Sequence, residues 1–349
     1  MWGRASIWIA GVILVGFLGG CGPAGGPNPA PGAPGAGKAV KFVGFDMSPP
    51  LIQALREGKI QGLVLQNPYR MGWLGVETLV KHLAGETVAP NQSTGEIMLT
   101  LENIETSEVM DLLNAPKLEH GKDANIAGGE RKKYRLMVIP KGTTHEHWKA
   151  VHAGAGAAAA KLGNVEIIWQ GPTKEDDRTD QIKLVQNAIA TKVDGIVIAP
   201  LDSKALVAPL EQAVDAGIPV VIIDSDLDST KKASYVATDN YNGGVLAARR
   251  LGQLLEGKGK IILLRYAVGS QSTEERERGF TETIAKEFPD IVFLDKDQYA
   301  GATSDLAQRV AQTLTTKYRG QVDGIFCPNE SSTLGMLRAL KDAGMLAGQ

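Results

Sequence analysis

The sequence predicts an α/β protein of two doubly wound domains, on three observations. Several apolar runs are continuous rather than alternating, as in strands buried on both faces of a parallel sheet. Amphipathic stretches of helix length separate them, so the repeating unit is strand, helix, strand. The chain has 349 residues, 43% of them hydrophobic and 22% charged, enough for two cores at about 150 residues per domain.

In chain order, residues 1–21 read as an export signal. Arg4 is the positive flank, and Ala5 to Leu18 is an apolar stretch of signal-core length, short of the roughly 20 residues of a spanning helix. Leu18-Gly19-Gly20-Cys21 resembles a bacterial lipobox, in which Cys21 is lipidated after cleavage; the alternative is an ordinary secretory signal with an incidental cysteine. Eleven of the sixteen residues from 22 to 37 are glycine or proline, a stretch unable to bury enough surface to fold, so it reads as a tether. The runs Lys41-Phe42-Val43-Gly44-Phe45, Leu136-Met137-Val138-Ile139, Gly195-Ile196-Val197-Ile198, Val220-Val221-Ile222-Ile223 and Ile261-Ile262-Leu263-Leu264 are the expected strands. Helices are expected over Asp180 to Ala190, Lys204 to Ala216 and Ser331 to Ala343, the last stopped by Gly344. Asp176-Asp177-Arg178 begins a helix. Val151 to Leu162, rich in glycine and alanine, is expected to be a helix packed closely on a sheet. Its Gly154-Ala155-Gly156 lies inside the helix, not in the turn after a strand, so the phosphate-cradling geometry of a dinucleotide site is missing.

Charge and composition exclude several classes of function. Thirty-seven basic against thirty-nine acidic residues give a net charge of -2, without the electrostatic footprint of a nucleic-acid binder. Two cysteines, Cys21 and Cys327, make neither a disulfide framework nor a metal cluster, and Cys327 at the end of an apolar run reads as a core thiol. No serine-histidine-acid arrangement, phosphate loop or paired-carboxylate pattern stands out, so neither catalysis nor a cofactor is expected.

The informative residues follow the strands. Asp46 and Asp224 each end an apolar run, Gln66 ends Gly62-Leu63-Val64-Leu65, and Asn329 follows Gly324-Ile325-Phe326-Cys327-Pro328. The carboxyl ends of strands in an open parallel sheet face the ligand crevice. Four planar polar groups there suit a neutral ligand with many hydroxyls, and none is a nucleophile with a base beside it. Taken singly, each is also a residue type that favours loop caps and turns.

The chain resembles periplasmic sugar-binding proteins of the ribose-binding type, the extracytoplasmic receptors of ABC importers. The resemblance lies in Val43-Gly44-Phe45-Asp46, Val185-Gln186-Asn187-Ala188, Asp194-Gly195-Ile196, Ala216-Gly217-Ile218-Pro219-Val220-Val221, Thr238-Asp239-Asn240, Arg276-Glu277-Arg278-Gly279-Phe280, Asn329-Glu330 and Leu337-Arg338-Ala339-Leu340. It implies two doubly wound three-layer lobes joined by a three-crossing hinge, the type I periplasmic binding protein fold. The order of the pieces departs from the family. The strand ending in Asp46 opens the folded region and the Leu337-Arg338-Ala339-Leu340 helix ends it, so the sequence looks circularly permuted. Residues 115–133, polar and with Gly121, Gly128 and Gly129, would link the family's usual end to its usual start near Tyr134. Such a linker spans roughly 25 Å on average. One lobe would comprise 67–94 plus 134–237, the other 38–66, 95–114 and 239–349, with crossings near Gln66-Asn67, Thr94-Gly95 and Thr238. Lys38 and Gln349 are then expected near one another on one lobe.

The resemblance places ligand contacts on Asp46, Gln66, Asp224, Arg278 and Asn329, with Trp148 and Tyr299 as an aromatic sandwich over the apolar face of a sugar. Two departures leave the sugar unspecified. Asp224 is followed by Ser225, where the family pattern has arginine, and His145-Glu146-His147-Trp148 replaces the family's loop of asparagine and two phenylalanines. His145 and His147 are expected to hydrogen-bond the ligand; with His152 they do not make a standard zinc pattern, so no metal is expected. The implied protein is a monomeric, lipid-anchored receptor that takes a monosaccharide to an ABC permease. The alternatives are a sugar-sensing module for a membrane kinase or chemoreceptor and a lactose-repressor-type regulator. The latter needs a helix-turn-helix where this chain has an export signal.

Overall fold

The computed structural model describes residues 39–113 and 132–347. The expected signal, Cys21, the tether and nearly all of the expected 115–133 linker lie outside the described residues. Twelve strands among the described residues form two six-stranded sheets. One runs Asp290–Asp295, Lys258–Leu263, Gly324–Phe326, Lys41–Phe45, Gly62–Gln66, Glu96–Leu99, all neighbours parallel except the last pair. The other runs Asn91–Ser93, Ser234–Ala237, Val220–Ile223, Gly195–Ile198, Tyr134–Ile139, Val165–Trp169, and is parallel throughout. Helices cover both faces of each sheet, which is why Val220–Ile223 and Gly195–Ile198 are buried at every position.

The strands expected from the apolar runs begin earlier in two cases: Lys258–Leu263 starts three residues before its apolar stretch and Tyr134–Ile139 two, the added residues being exposed or half-buried. The helix expected from Lys204 is Val207–Asp215, preceded by an Asp202-centred turn whose carboxylate accepts the Lys204 and Ala205 N–H groups. Asp177 caps Arg178–Ala190 by accepting the Asp180 N–H.

The glycine-rich segment belongs to a helix, Glu146–Leu162, and here the structure corrects the expectation of sheet packing. Trp148, Val151 and Ala155 do cover the sheet, but the glycines serve a helix crossing with Pro68–Leu83. A Cβ on Gly154 would stand 1.8 Å from Tyr69 O, and one on Gly72 2.0 Å from Val151 O. The other half repeats the device, with Gly244 against Arg276 O and Gly279 against Tyr241 O.

Among the described residues the chain passes between the sheets at 66–68, 93–96 and 237–240, since the strands flanking each point belong to different sheets; a further passage, between Glu96–Leu99 and Tyr134–Ile139, includes residues outside those described. The first three run side by side. Ser93 pairs with Ala237, Thr94 N–H donates to Ala237 O at 2.9 Å, and Gln66 pairs with Glu96. At the far end of the first sheet, Val40 N–H donates to Met345 O at 3.1 Å, so the first and last described segments touch. No helix among the described residues is long and apolar enough to cross a membrane.

Candidate functional site

A single cleft takes side chains from both sheets. Its space is about 310 Å³ when the open mouth is included. From the first sheet come Asp46, Gln66, Asn329, Glu330 and, after Lys258–Leu263, Tyr266; Ser272, Thr273 and Arg276 stand on the helix Gln271–Glu287. From the second come Lys141, His145, His147, Trp148, Glu175 and Asp224. Asp46 and Asp224 both leave their strands in the left-handed region, with φ of 66° and 63°. Aspartate bears that conformation better than most side chains, and the turn aims each carboxylate into the cleft.

Of the residues expected to meet a ligand, Asp46, Gln66, His145, His147, Trp148, Asp224 and Asn329 line this cavity. Arg278 and Tyr299 do not. Helical periodicity explains Arg278: it sits 200° around from Arg276, on the solvent side, and pairs with Glu275 and Glu282 of its own helix. Arg276 shares the buried face with Phe280 and is 2% exposed. Tyr299 lies beside Arg265, whose guanidinium is 4.6 Å from its ring centroid, at the sheet edge outside the cavity; the aromatic at the cleft is Tyr266. Asn329 also caps the helix Glu330–Asp342 with Ser332, so its two readings coincide.

The site is electrostatically dense. Lys141 Nζ is 2.8 Å from Asp224 Oδ2 and donates to Ser225 Oγ at 2.6 Å and Ser272 Oγ at 3.1 Å, with Ser270 Oγ at 3.2 Å. Burial alone would raise Asp224, but Lys141, His147 and Arg276 hold it far below the ordinary carboxylate range. Arg276 donates to Asn240 Oδ1, Pro328 O and Gln66 Oε1, and Gln66 in turn donates to Asp46. Asp46 also accepts the Glu330 N–H at 2.9 Å, which ties two strand ends together. His147 Nε2 is buried and 3.4 Å from Asp224 Oδ1, close enough for charge attraction but without hydrogen-bond alignment to any described group. Despite the cost of burial, Asp224 and Asp46 raise its pKa.

Glu175 anchors a second cluster. It accepts the Trp148 indole N–H at 2.6 Å, the Tyr266 hydroxyl at 2.6 Å, and an ion pair from His145. Burial disfavours both charges, yet each holds the other ionised: His145 is raised to about 9 and Glu175 lowered to about 2. Glu330 moves the other way, pushed up to about 7 by burial, with His145 opposing and Asp46 reinforcing the shift.

These shifts give the stability a pH profile. His145 contributes fully below its ordinary 6.5 and its contribution is lost as pH rises towards 9; that of Glu330 is lost between 4.5 and 7. Glu175 contributes above 4.5 and less as pH falls towards 2. Thermal melts are therefore expected to peak near pH 4.5 and to fall by several degrees towards pH 9. His145→Gln should flatten the alkaline limb; a wild-type melt that rises steadily to pH 9 contradicts the assignment.

Sequence reasoning missed Lys141, Glu175, Tyr266, Arg276 and Glu330. Lys141 could have been found by the rule that found Asp46, since it lies two residues past Tyr134–Ile139.

The described residues contain no group of three or more His, Cys, Asp or Glu side chains that could hold a metal ion. Comparison with known proteins places the architecture. The sequence profile of the periplasmic binding protein domain matches residues 31–87 and 136–349. The xylitol-binding protein of Mycolicibacterium smegmatis is 30% identical over 185 residues, 53% of this chain; the chain spans about half of that relative, 52% of its length. The D-ribose/D-allose-binding protein of Pseudomonas aeruginosa is 28% identical over 62% of this chain and 69% of its own. An ABC transporter solute-binding protein of Agrobacterium vitis with bound D-fucose superposes with a TM-score of 0.58 at 35% identity, over 60% of this chain and 73% of that one. These relatives are binding proteins. With two doubly wound halves around a shared cleft and the profile matching in both, the chain belongs to the periplasmic binding protein family, with the type I fold of its ribose-binding group.

Proposed function

We propose that the protein is an extracytoplasmic receptor that captures a neutral monosaccharide or polyol by closing its two halves and delivers it to an ABC importer. The observation that carries this reading is the meeting of Asp46, Gln66 and Asn329 from one sheet with Asp224 and Trp148 from the other around a single cavity. Carboxylates and amides take the hydroxyls; the aromatic faces cover the C–H face. Neutrality follows from the pairing of the carboxylates: Lys141 faces Asp224 and His145 faces Glu175, so a charged ligand would break an existing pair. Contacts made only when the halves are together shift the population towards the closed form. Cys21 supplies the lipid anchor of the exported protein. A sensing role has one supporting observation, the 26% identity to a fructose-binding periplasmic domain of a hybrid two-component system. It uses the same pocket and differs in the partner that reads closure.

The reading predicts that at least one of xylitol, D-ribose, D-allose, D-fucose, D-tagatose and D-fructose raises the melting temperature, since binding at a hundred times Kd adds about 2.7 kcal/mol. Unchanged melts with all six would refute it. The same screen tests the permuted chain order, which the Val40–Met345 contact supports. A chain rejoined between residues 347 and 39, with new ends inside 114–131, should fold and give the same ligand shifts. Failure to fold would overturn the order.

A further inference from the structure

The cleft's two aromatic side chains come from opposite halves, and both reach the same carboxylate. Trp148 stands in the first turn of Glu146–Leu162, 3% exposed, and donates its indole N–H to Glu175 Oε1 at 2.6 Å. Tyr266 follows Lys258–Leu263 in the other half, 1% exposed, and donates its hydroxyl to Glu175 Oε2 at 2.6 Å. Glu175 itself is 7% exposed, in the loop between Val165–Trp169 and Arg178–Ala190. The Trp148 bond lies within one half, whereas the Tyr266 bond spans the two.

We propose that Glu175 is a positioning residue that sets both aromatic walls of the cleft at once, fixing Trp148 beforehand and drawing Tyr266 opposite it on closure. The proposal rests on the sugar-binding reading and deepens it. With donors on both oxygens, the Glu175 carboxylate has little capacity left for a ligand hydroxyl, so it acts through the rings it holds. A ring that reaches its stacking position only through a buried hydrogen bond lets the ligand be gripped from two sides without the ring being fixed in the open form. Charge on the acceptor makes both bonds stronger than their neutral equivalents. Glutamine keeps the shape of the side chain but presents an acceptor to only one of the two donors.

The test has a ligand-free arm and a ligand arm, using Glu175→Gln, Tyr266→Phe and the double variant. In the ligand-free protein the Trp148 indole N–H proton, assigned through Trp148→Phe, should resonate downfield in the wild type and move upfield in Glu175→Gln. A resonance unmoved by Glu175→Gln overturns the proposal whether or not any sugar binds. In the ligand arm, the sugar of the six-compound screen giving the largest melting shift should bind at least tenfold more weakly to Glu175→Gln and several-fold more weakly to Tyr266→Phe. The double variant should be no weaker than Glu175→Gln, because both substitutions remove one shared bond. Independent, multiplying losses, or wild-type affinity in Glu175→Gln, would also overturn it. If no sugar of the screen binds the wild type, the sugar reading fails, and the indole resonance still decides the role of Glu175. Tyr266→Phe deletes one hydroxyl and keeps the ring, so it carries the ligand arm if Glu175→Gln proves unstable.

Discussion

Asp224→Ala is expected to abolish any ligand-induced melting shift and to lower the melting temperature of the ligand-free protein by about 10 °C. The carboxylate is 4% exposed and its removal leaves Lys141, 3% exposed, with hydroxyl partners only. Breaking a buried pair by taking one partner away costs about 3–5 kcal/mol, because the surviving charge remains desolvated. At roughly 2–4 °C per kcal/mol for a chain of this order of size, the expected drop follows. His147 loses the nearer of its two carboxylate neighbours at the same time. Removing both charges separates stability from binding: Asp224→Ala/Lys141→Met should regain most of the lost stability while still failing to respond to any sugar. A single Asp224→Ala variant that melts like the wild type would show that the pair is not buried as described.

Arg276→Ala and Arg278→Ala should differ sharply although the residues are two positions apart. Arg276 donates to three buried acceptors in three segments, and its guanidinium lies 4.0 Å from the Phe45 ring centroid. Its loss strands Asn240, Gln66 and the Pro328 carbonyl; at about 1–3 kcal/mol for each unsatisfied buried group, the variant should lose more than about 3 kcal/mol and all response to ligand. Arg278 is an exposed side chain that pairs with Glu275 and Glu282 of its own helix and lies over the Tyr241 ring at 4.4 Å, contacts worth little at a surface, so Arg278→Ala should cost no more than about 1 kcal/mol. Urea unfolding and the sugar screen on both variants provide the measurement. The reverse ranking would return the site to Arg278.

The contrast also shows how much was legible in the sequence. Strand ends were readable because continuous apolar runs stop where the covering helices stop, and Asp46, Gln66, Asp224 and Asn329 came from that rule alone. Arg276 was within reach of the same reasoning: it stands one helical turn before Phe280, on the buried face, while Arg278 carries the i−3 and i+4 partners of a solvated one. Glu175 was not readable. It lies in Thr173-Lys174-Glu175-Asp176-Asp177, where every neighbour is equally polar, and only the fold brings one of these acids under an indole from the next helix and a phenol from the other half. Tyr266 has the same difficulty, since the aromatic that the resemblance pointed to, Tyr299, lies against Arg265 instead.

The three passages that lie side by side among the described residues have a mechanical consequence. Sliding or twisting the halves would shear the Thr94–Ala237 backbone bond and the Gln66–Glu96 pairing, whereas bending across the ribbon asks only for modest dihedral changes at its edges. Bending is thereby the softest relative motion that these described passages allow. Under the proposed function, a membrane partner that senses that angle would learn whether cargo is aboard and nothing about which cargo, so all chemical discrimination would have to be completed inside before the halves close.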